Sequence, residues 1–572
     1  MARVPYCSLL FWLSVIQRCK WYPDLSRPDD GGTEIVTYRQ RKQSVDINPE
    51  FRKALDIMED SSRHAFITGK AGTGKSTLLN YFRETTGKEV AVLAPTGVAA
   101  LNIQGQTIHS FFNFKPNVTP DKIRKVAGEE GHIYKEFDTI IIDEISMVRA
   151  DLLDCVEKFL RLNGPKRKQW FGGIQMIFIG DLYQLPPVVA STEKEIFSHR
   201  YASPYFFSAQ VFREPTFEME FIELEKVYRQ TEPDFIALLN SIRNRSCTEE
   251  DMERLNERYD GAFFAPDEEF AITLTSTNDL ATGRNMERLE ALPGAMIQLH
   301  GTLSGDFEKS SLPTDETVRI KPGAQVMLVN NDKYGRWVNG TLGRVTGTSV
   351  LVDGPNGDEG EQETVVLVTL QDGTRVEVLP HTWELYEYEY DRSTKKIFTR
   401  KTGAFTQYPI RLAWAVTIHK SQGKTFDRVV IDIGRGAFAH GQVYVALSRC
   451  TNFAGITLTK PIKKGHIRMD WRIAKFLASY QYKKADERMG YEERKKIIED
   501  AIKRGMDLQI TYLKPDDKKS HRTIRPLSVE DMEYKGRVFE GLRAHCYLRN
   551  TDRTFRIDRI LDIAYDIGRN HD

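Results

Sequence analysis

The sequence predicts an α/β protein built on two parallel sheets, with an antiparallel β unit inserted in the second and a separate β-rich module at the C-terminal end. Three observations carry this expectation. Apolar runs of strand length recur at 65–68, 90–94, 139–142, 176–179, 271–275 and 429–433, each followed by Gly-rich or polar turns. Strands apolar on both faces and separated by helical stretches belong to parallel sheets covered on both sides. Between 298 and 399 the texture changes to alternating residues with turns at Asp353-Gly354 and Asp372-Gly373, as in antiparallel hairpins. After Trp471 a charged helical stretch from Glu492 to Arg504 leads into a strand-like 508–513 and an Arg-rich end.

With 572 residues the chain exceeds one domain of roughly 100–200 residues, so several compact units are required. In order, 1–45 reads as a loosely ordered extension, 46–225 as a first lobe, and 226–297 with 400–475 as a second lobe interrupted by the insertion 298–399. A linker at 476–489 then leads to a module at 490–572. Basic and acidic residues balance, 81 against 80, so no global basic field exists and any nucleic-acid site must be a local groove. The six cysteines (Cys7, Cys19, Cys155, Cys247, Cys450, Cys546) form no CxxC pair, which excludes a zinc site or disulfide scaffold and suits reduced thiols in a cytoplasm. The apolar run 8–16 is about half of the ~20 residues a bilayer span needs and lacks a cleavage pattern, so neither a membrane span nor a secretory signal is expected.

The first lobe opens on Gly69-Lys70-Ala71-Gly72-Thr73-Gly74-Lys75-Ser76, a G-x-x-x-x-G-K-[ST] loop directly after one strand and before the helical 77–83. Its glycines (Gly69, Gly72, Gly74) let backbone N–H groups of Thr73 through Thr77 wrap phosphates at a helix N-terminus, Lys75 reaches the β and γ groups, and the Ser76 hydroxyl ligates Mg2+. The next strand ends in Asp143-Glu144: Asp143 can hold the metal through water, and Glu144 can orient and deprotonate an attacking water. A third strand ends in a stiff Gln184-Leu185-Pro186-Pro187 turn, where a rigidly placed Gln184 suits a sensor of the γ-phosphate. Phosphoryl transfer also needs cations on the developing charge, and Arg229 and Arg449 are candidates, although spacing alone does not select them from the chain's other arginines.

The ordered set GKAGTGKST, APTGVAALN, GQTIHSFF, DEISMV, FGGIQMIFIGDLYQLPPV, EKVYRQ, VTIHKSQGKTFD and QVYVALSRC resembles the Pif-type DNA helicases of superfamily 1, in their RecD-like five-prime-to-three-prime branch. That resemblance, running from Asp46 to Ile467, implies two RecA-like P-loop NTPase lobes that bind ATP and Mg2+ in their cleft and single-stranded DNA across their top. It assigns catalytic roles to Lys75, Glu144, Gln184, Arg229 and Arg449, with both arginines supplied by the second lobe. It also implies duplex or fork junctions as substrates, a monomer in solution, and work in repair, replication or recombination at a bacterial nucleoid.

DNA contacts carried over from the family fall on Thr96 and Gly97, on His109 with Phe111, and on Thr417, His419, Lys420 and Ser421. For Phe111 and Phe112 buried aromatic packing is the competing reading, because adjacent residues seldom both face a ligand. The insertion, with Trp337 and Gly323 through Leu328, looks like the SH3-like β unit of the same helicases; Trp337 suits a core role as well as a DNA role. The glutamine that reads adenine upstream of the P-loop is missing, leaving Asn48 as the substitute.

Through Ile510-Thr511-Tyr512, Ser520-His521-Arg522-Thr523-Ile524-Arg525-Pro526, Leu542-Arg543-Ala544-His545-Cys546 and the run from Arg553 to Ile560, the C-terminal module resembles a WYL domain, a small Sm-like β fold. Tyr512, Arg522, Arg553, Arg556 and Arg559 are the implied ligand residues, for single-stranded DNA or a nucleotide, with strand alternation placing Arg553 and Arg559 on one face. Arginines paired with Asp552, Asp558 and Asp562 are the alternative. Two other functions compete with a helicase: a DNA-stimulated ATPase switch that does not unwind, and a WYL-type regulator, for which no helix-turn-helix is evident.

Overall fold

The computed structural model describes residues 45–566 except 116, 127–130, 190–192, 264–268, 308, 353–361, 392, 394–395, 435, 437–438, 515–518 and 535. The N-terminal extension up to residue 44 and the Asp353-Gly354 turn lie outside the described residues.

The first lobe contains α1 (Pro49–Asp60), β1 (His64–Gly69), α2 (Lys75–Thr85), β2 (Val90–Ala94), α3 (Gly97–Asn102), β3 (Gln106–Thr107), β4 (Thr139–Ile142), α4 (Ala150–Asn163), β5 (Gln175–Ile179) and β6 (Met219–Leu224). Its strands form one six-stranded sheet, ordered β3-β2-β4-β5-β1-β6, with every pairing parallel. The side-chain period of two explains the apolar runs. In β1, Ala65 and Ile67 pack with Leu78, Leu79 and Phe82 of α2 on one face, whereas Phe66 turns to the other, against Phe206 and Phe221. The strand order places the ends of β1, β4 and β5 side by side, so the loops that follow them share one edge.

The second lobe begins with α5 (Pro233–Arg243), β7 (Ile272–Thr275) and α6 (Asn278–Ala291). The chain then leaves it through β8 (Ile297–His300), β9 (Thr302–Gly305), β10 (Thr317–Ile320), β11 (Gln325–Leu328), β12 (Leu342–Val352), β13 (Gln362–Leu370), β14 (Arg375–Val378), β15 (His381–Asp391), β16 (Lys396–Gln407) and β17 (Ile410–Leu412). These strands make antiparallel sheets ordered β14-β13-β12-β11-β17, β15-β16-β9 and β10-β8. The expected return to the lobe at 400 falls inside β16, which pairs with β15 as far as His381 opposite Gln407. The lobe resumes with β18 (Ala415–Thr417), β19 (Val429–Asp432), α7 (Gln442–Leu447) and β20 (Ile456–Leu458), completing a four-stranded parallel sheet, β18-β7-β19-β20.

The stretch 476–489 is not a linker. It belongs to α8 (Trp471–Arg488), started by Asp470, whose side chain accepts from the Arg472 N–H. Ile473 and Leu477 enter the first-lobe core and Phe476 stacks on Phe207 with ring centroids 4.3 Å apart, so apolar spacing along one helix face holds this segment to the lobe. Beyond it, α9 (Tyr491–Arg504) ends at Gly505 (φ 63°) and covers a five-stranded antiparallel sheet of β21 (Leu508–Leu513), β22 (Lys519–Tyr534), β23 (Arg537–Cys546), β24 (Thr551–Arg556) and β25 (Ile560–Tyr565), ordered β24-β23-β22-β21-β25. Ile498 and Ala501 of α9 close its core over Leu508, Ile524 and Leu542. Lys519 at the start of β22 pairs with Glu223 (3.3 Å) and Glu225 (2.8 Å) at the end of β6.

Candidate active site between the two lobes

The phosphate loop joins β1 to α2. Gly72 and Gly74 sit at φ 78° and 88°, and a Cβ on Gly72 would lie 2.4 Å from the Cβ of Arg229, so glycine there permits both the turn and the approach of a second-lobe residue. Lys75 Nζ donates to the carbonyls of Gly69 (2.7 Å) and Lys70 (2.9 Å), and Thr73 Oγ1 donates to Lys70 O (3.0 Å). Burial pulls the Lys75 ammonium below the usual lysine range, with Asp181 the foremost of the carboxylates opposing that shift. Ser76 and Thr77 lie exposed on the first turn of α2.

At the end of β4, Asp143 is buried and accepts the Glu144 N–H at 2.8 Å, while Glu144 adopts a left-handed conformation (φ 49°) unusual for a residue with a side chain. Desolvation raises both carboxyls. Glu144 is carried up to about 7, by burial first and the Asp143 charge second, against the opposing pull of Lys75, Arg449 and a hydrogen bond from Gln422 Nε2 (2.8 Å). A base tuned near neutrality is what activation of water at ordinary pH requires. The residues also fit magnesium, a hard cation that takes oxygen ligands: Asp143 offers a desolvated carboxylate at the end of β4, and the exposed Ser76 hydroxyl stands on the first turn after β1, with β5 the one strand between them.

Gln184 is buried beside Asp181, to which its Nε2 donates at 3.4 Å. A Cβ on Gly441, just before α7, would lie 2.4 Å from the Gln184 carbonyl, so the second lobe closes directly on the Gln184 turn. Arg229 Nη1 donates to Ser448 O (3.2 Å). Arg449 is only 1% exposed and donates to Val445 O (3.0 Å), Ser448 Oγ (3.0 Å) and Lys424 O (3.3 Å). Burial, then the nearby Arg229 charge, lowers Arg449 to about 9. Lys75, Asp143, Glu144, Gln184, Arg229 and Arg449 thus meet around one cleft.

Sequence reasoning missed the residues that lock this cleft. Asp181, fully buried, accepts from Arg243 of α5 (3.2 Å) and from the hydroxyl of Tyr444 of α7 (3.3 Å), and that same hydroxyl accepts the Ala71 N–H of the phosphate loop at 3.0 Å. Arg243 also lies over the ring of Tyr183, 4.0 Å from its centroid. Asp181 and Tyr444 stand inside the quoted motifs and could have been singled out there. Arg243 carries no signal, being one arginine on an otherwise ordinary helix.

The expected DNA contacts divide. Thr96 is exposed and caps α3, and Gly97 has no room for a Cβ, which would lie 2.2 Å from Ser311 Oγ. His109 lines a cavity of about 400 Å3 with Lys122, Arg149 and Arg200. Phe111, at 7% exposure, packs edge-on to Phe112, Tyr134 and Phe137, so it belongs to the core and offers no face to a base. Thr417 and Ser421 are also buried. Their hydroxyls bind backbone within their own turn, Thr417 accepting from Lys420 N (3.3 Å) and Ser421 donating to Ile418 O (2.7 Å), so they shape the turn.

His419 is half-buried and Lys420 exposed; Lys420, with Arg83, Arg411 and Lys424, lines a cavity of about 560 Å3 bounded by both lobes and the insertion. Trp337 takes the core role, its Nε1 donating to Asn330 Oδ1 at 2.9 Å. Asn48 caps α1 by accepting the Phe51 N–H (2.8 Å) and donates to Tyr228 Oη (3.3 Å).

In the C-terminal module, Arg556 makes a two-pronged pair with Asp558 (3.0 and 2.5 Å) and Arg522 is buried over Phe555, donating to Ser520 Oγ at 3.1 Å. Both are therefore engaged within the fold. Tyr512 stands edge-on to Phe555 at 5.2 Å. Arg553 is exposed on β24, but Arg559 lies in the tight turn Ile557–Arg559 that ends the strand, so the alternation expected to align these two arginines is broken.

Residues 46–253 match the PIF1-like helicase family and residues 494–565 match the WYL domain. A Danio rerio protein named ATP-dependent DNA helicase PIF1 is 32% identical over 75% of this chain, and the chain spans 64% of that relative's length. Pif1 of a Bacteroides species, crystallised with ADP-AlF4, is 34% identical with a TM-score of 0.68, the match covering 76% of this chain and 97% of that one. The same Bacteroides helicase bound to single-stranded DNA gives a TM-score of 0.55 at 35% identity, over 76% of this chain and 97% of the other. Two RecA-like lobes whose facing loops assemble one phosphate-handling cleft, matched over nearly the whole length of a solved helicase, place this chain in the PIF1-like helicase family.

Proposed function

We propose that the chain is an ATP-driven DNA helicase that translocates five-prime to three-prime on single-stranded DNA and separates duplex or structured DNA ahead of it. The observation that supports this reading most is the convergence of both lobes on one cleft: Lys75, Glu144 and Gln184 from one side, Arg229 and Arg449 from the other. Glu144 takes the proton of the attacking water, Lys75 neutralises the transferred phosphoryl group, and the arginines stabilise charge as it develops. Magnesium, bound by Ser76 and Asp143, would neutralise charge on the β and γ oxygens. Because the arginines belong to the second lobe, ATP draws the lobes together and hydrolysis releases them; alternation of that closure is the stroke.

Under the same reading the strand crosses the cavity lined by Lys420, Lys424, Arg411 and Arg83, held mainly through phosphates and with slight sequence preference. The WYL module supplies an accessory site for single-stranded DNA or a nucleotide, the enzyme works as a monomer, and its setting is the bacterial cytoplasm. No helix among the described residues is long and apolar enough to cross a membrane.

Duplexes bearing a single tail of either polarity provide the test. Strand release from the five-prime-tailed duplex alone is the expected outcome. DNA-stimulated ATP turnover without release from either would favour the switch, and release from the three-prime-tailed duplex would overturn the polarity.

A further inference from the structure

The turn from Ile418 to Phe426 faces two ways. Toward the cleft, Gln422 Nε2 donates to Glu144 Oε2 (2.8 Å), Gly423 O accepts from Arg229 Nη2 (3.5 Å), and Lys424 O accepts from Arg449 Nη1 (3.3 Å). Toward the tri-domain cavity the same turn presents Lys420 and Lys424 beside Arg83 and Arg411. Lys424 Nζ also bonds Asn339 of the insertion, and Asn339 Nδ2 donates to Asn102 Oδ1 of the first lobe at 2.9 Å. One short segment therefore holds the groups assigned to hydrolysis through Gln422, Gly423 and the Lys424 carbonyl, and lines the space assigned to the strand through the side chains of Lys420 and Lys424.

From this geometry we infer that Gln422 is a positioning residue for Glu144, reaching from the second lobe to orient the first-lobe base, so that a strand seated on Lys420 and Lys424 sets the base through the turn that carries all three residues. The inference rests on the helicase reading above and adds to it the route by which DNA stimulates hydrolysis. Glu144 sits in a left-handed turn at the end of β4, and the Gln422 amide donates a hydrogen bond to its carboxylate from the opposite lobe. Displacing a reacting group by about 1 Å costs on the order of a hundredfold in rate, enough for such a contact to govern turnover. The segment itself is well anchored independently of Gln422: Ser421 is fully buried with its hydroxyl on Ile418 O, and Phe426 is in the second-lobe core.

Full-length protein, Gln422→Ala and Gln422→Met should be compared for ATP turnover with and without an oligothymidylate, for KM of ATP, and for oligothymidylate affinity by fluorescence anisotropy. Methionine preserves the length and packing of the side chain but cannot donate the hydrogen bond. The expected result is that both variants bind the oligonucleotide and ATP within about twofold of the parent, while DNA-stimulated kcat falls by roughly tenfold to a hundredfold and unstimulated turnover falls by less, so that the ratio of the two drops. A parental ratio in either folded variant would overturn the role of Gln422 while leaving the helicase reading intact. If the unaltered protein shows no stimulation by DNA, the helicase reading fails and the positioning role with it. A drop in oligonucleotide affinity matching the drop in turnover would also overturn the inference, because Gln422 would then act by holding DNA.

Discussion

Replacing Arg243 with methionine should loosen the contact between the lobes by a predictable amount. Its side chain is 4% exposed and that of Asp181 is 0%, so Arg243→Met would leave a buried carboxylate without its ion-pair partner, hydrogen-bonded by the Tyr444 hydroxyl, the Gln184 amide and the Tyr183 N–H and with Lys75 as the foremost remaining cation. Breaking a buried pair by removing one partner costs about 3–5 kcal/mol. Loss of the cation over the Tyr183 ring adds about 1 kcal/mol. Arg243 and Asp181 come from different lobes, so this penalty falls on the join between lobes more than on either core.

Asp181→Asn removes the stranded charge, and the double variant should therefore be less destabilised than the sum of the single ones, with a coupling of about 2 kcal/mol or more. Native-state hydrogen exchange at the Gln184 turn and along α5 is the suitable assay, because a multi-lobe chain does not unfold in one step. Protection there should drop by a factor of about a thousand to ten thousand in Arg243→Met, the tenfold-per-1.4 kcal/mol equivalent of that penalty. Single and double variants that add to within about 0.5 kcal/mol would refute the reasoning.

Three further outcomes are expected. Lys75→Ala should abolish ATP turnover while single-stranded DNA still binds, as read by phosphate release and anisotropy in parallel, and substitution of Arg449 should slow turnover by about a thousandfold or more. Burial, with Arg411 adding to it, lowers Lys424 to about 8, so its ammonium is charged below that pH and neutral above it. DNA affinity measured at constant salt should accordingly weaken between about pH 7 and about pH 9, a window in which an ordinary lysine stays charged. Lys424→Arg should remove that dependence; an unchanged profile would dissociate it from Lys424. Leu477→Ala, in the face of α8 buried on the first lobe, should cost about 2–5 kcal/mol, and thermal unfolding shifted by less than a degree would show that the helix is not held there.

The chemistry of the cleft was legible in the chain because it depends on local order. A glycine-rich loop between a strand and a helix, a carboxylate pair after four apolar residues and a glutamine in a proline-stiffened turn each have their meaning within about ten residues. The parallel sheets were legible for a similar reason: strands buried on both faces must be apolar throughout. Long-range pairing was not. Whether Phe111 met a base or a core, whether 476–489 hung free or packed as a helix, and where the insertion ended all depended on surfaces brought from elsewhere in the sequence.

By itself, then, the sequence marked the phosphate loop, the Asp143-Glu144 pair and Gln184 as candidates through short motifs in a fixed order, while Arg229 and Arg449 came only with the family resemblance. Only the tertiary structure decided that Asp181 is closed by Arg243 and Tyr444, that Thr417 and Ser421 turn inward, and that Arg556 is already paired with Asp558. The physical reason is that burial and charge pairing are set by neighbours distant along the chain: an arginine on a helix reads alike in sequence whether it faces water or an anion sealed between two lobes.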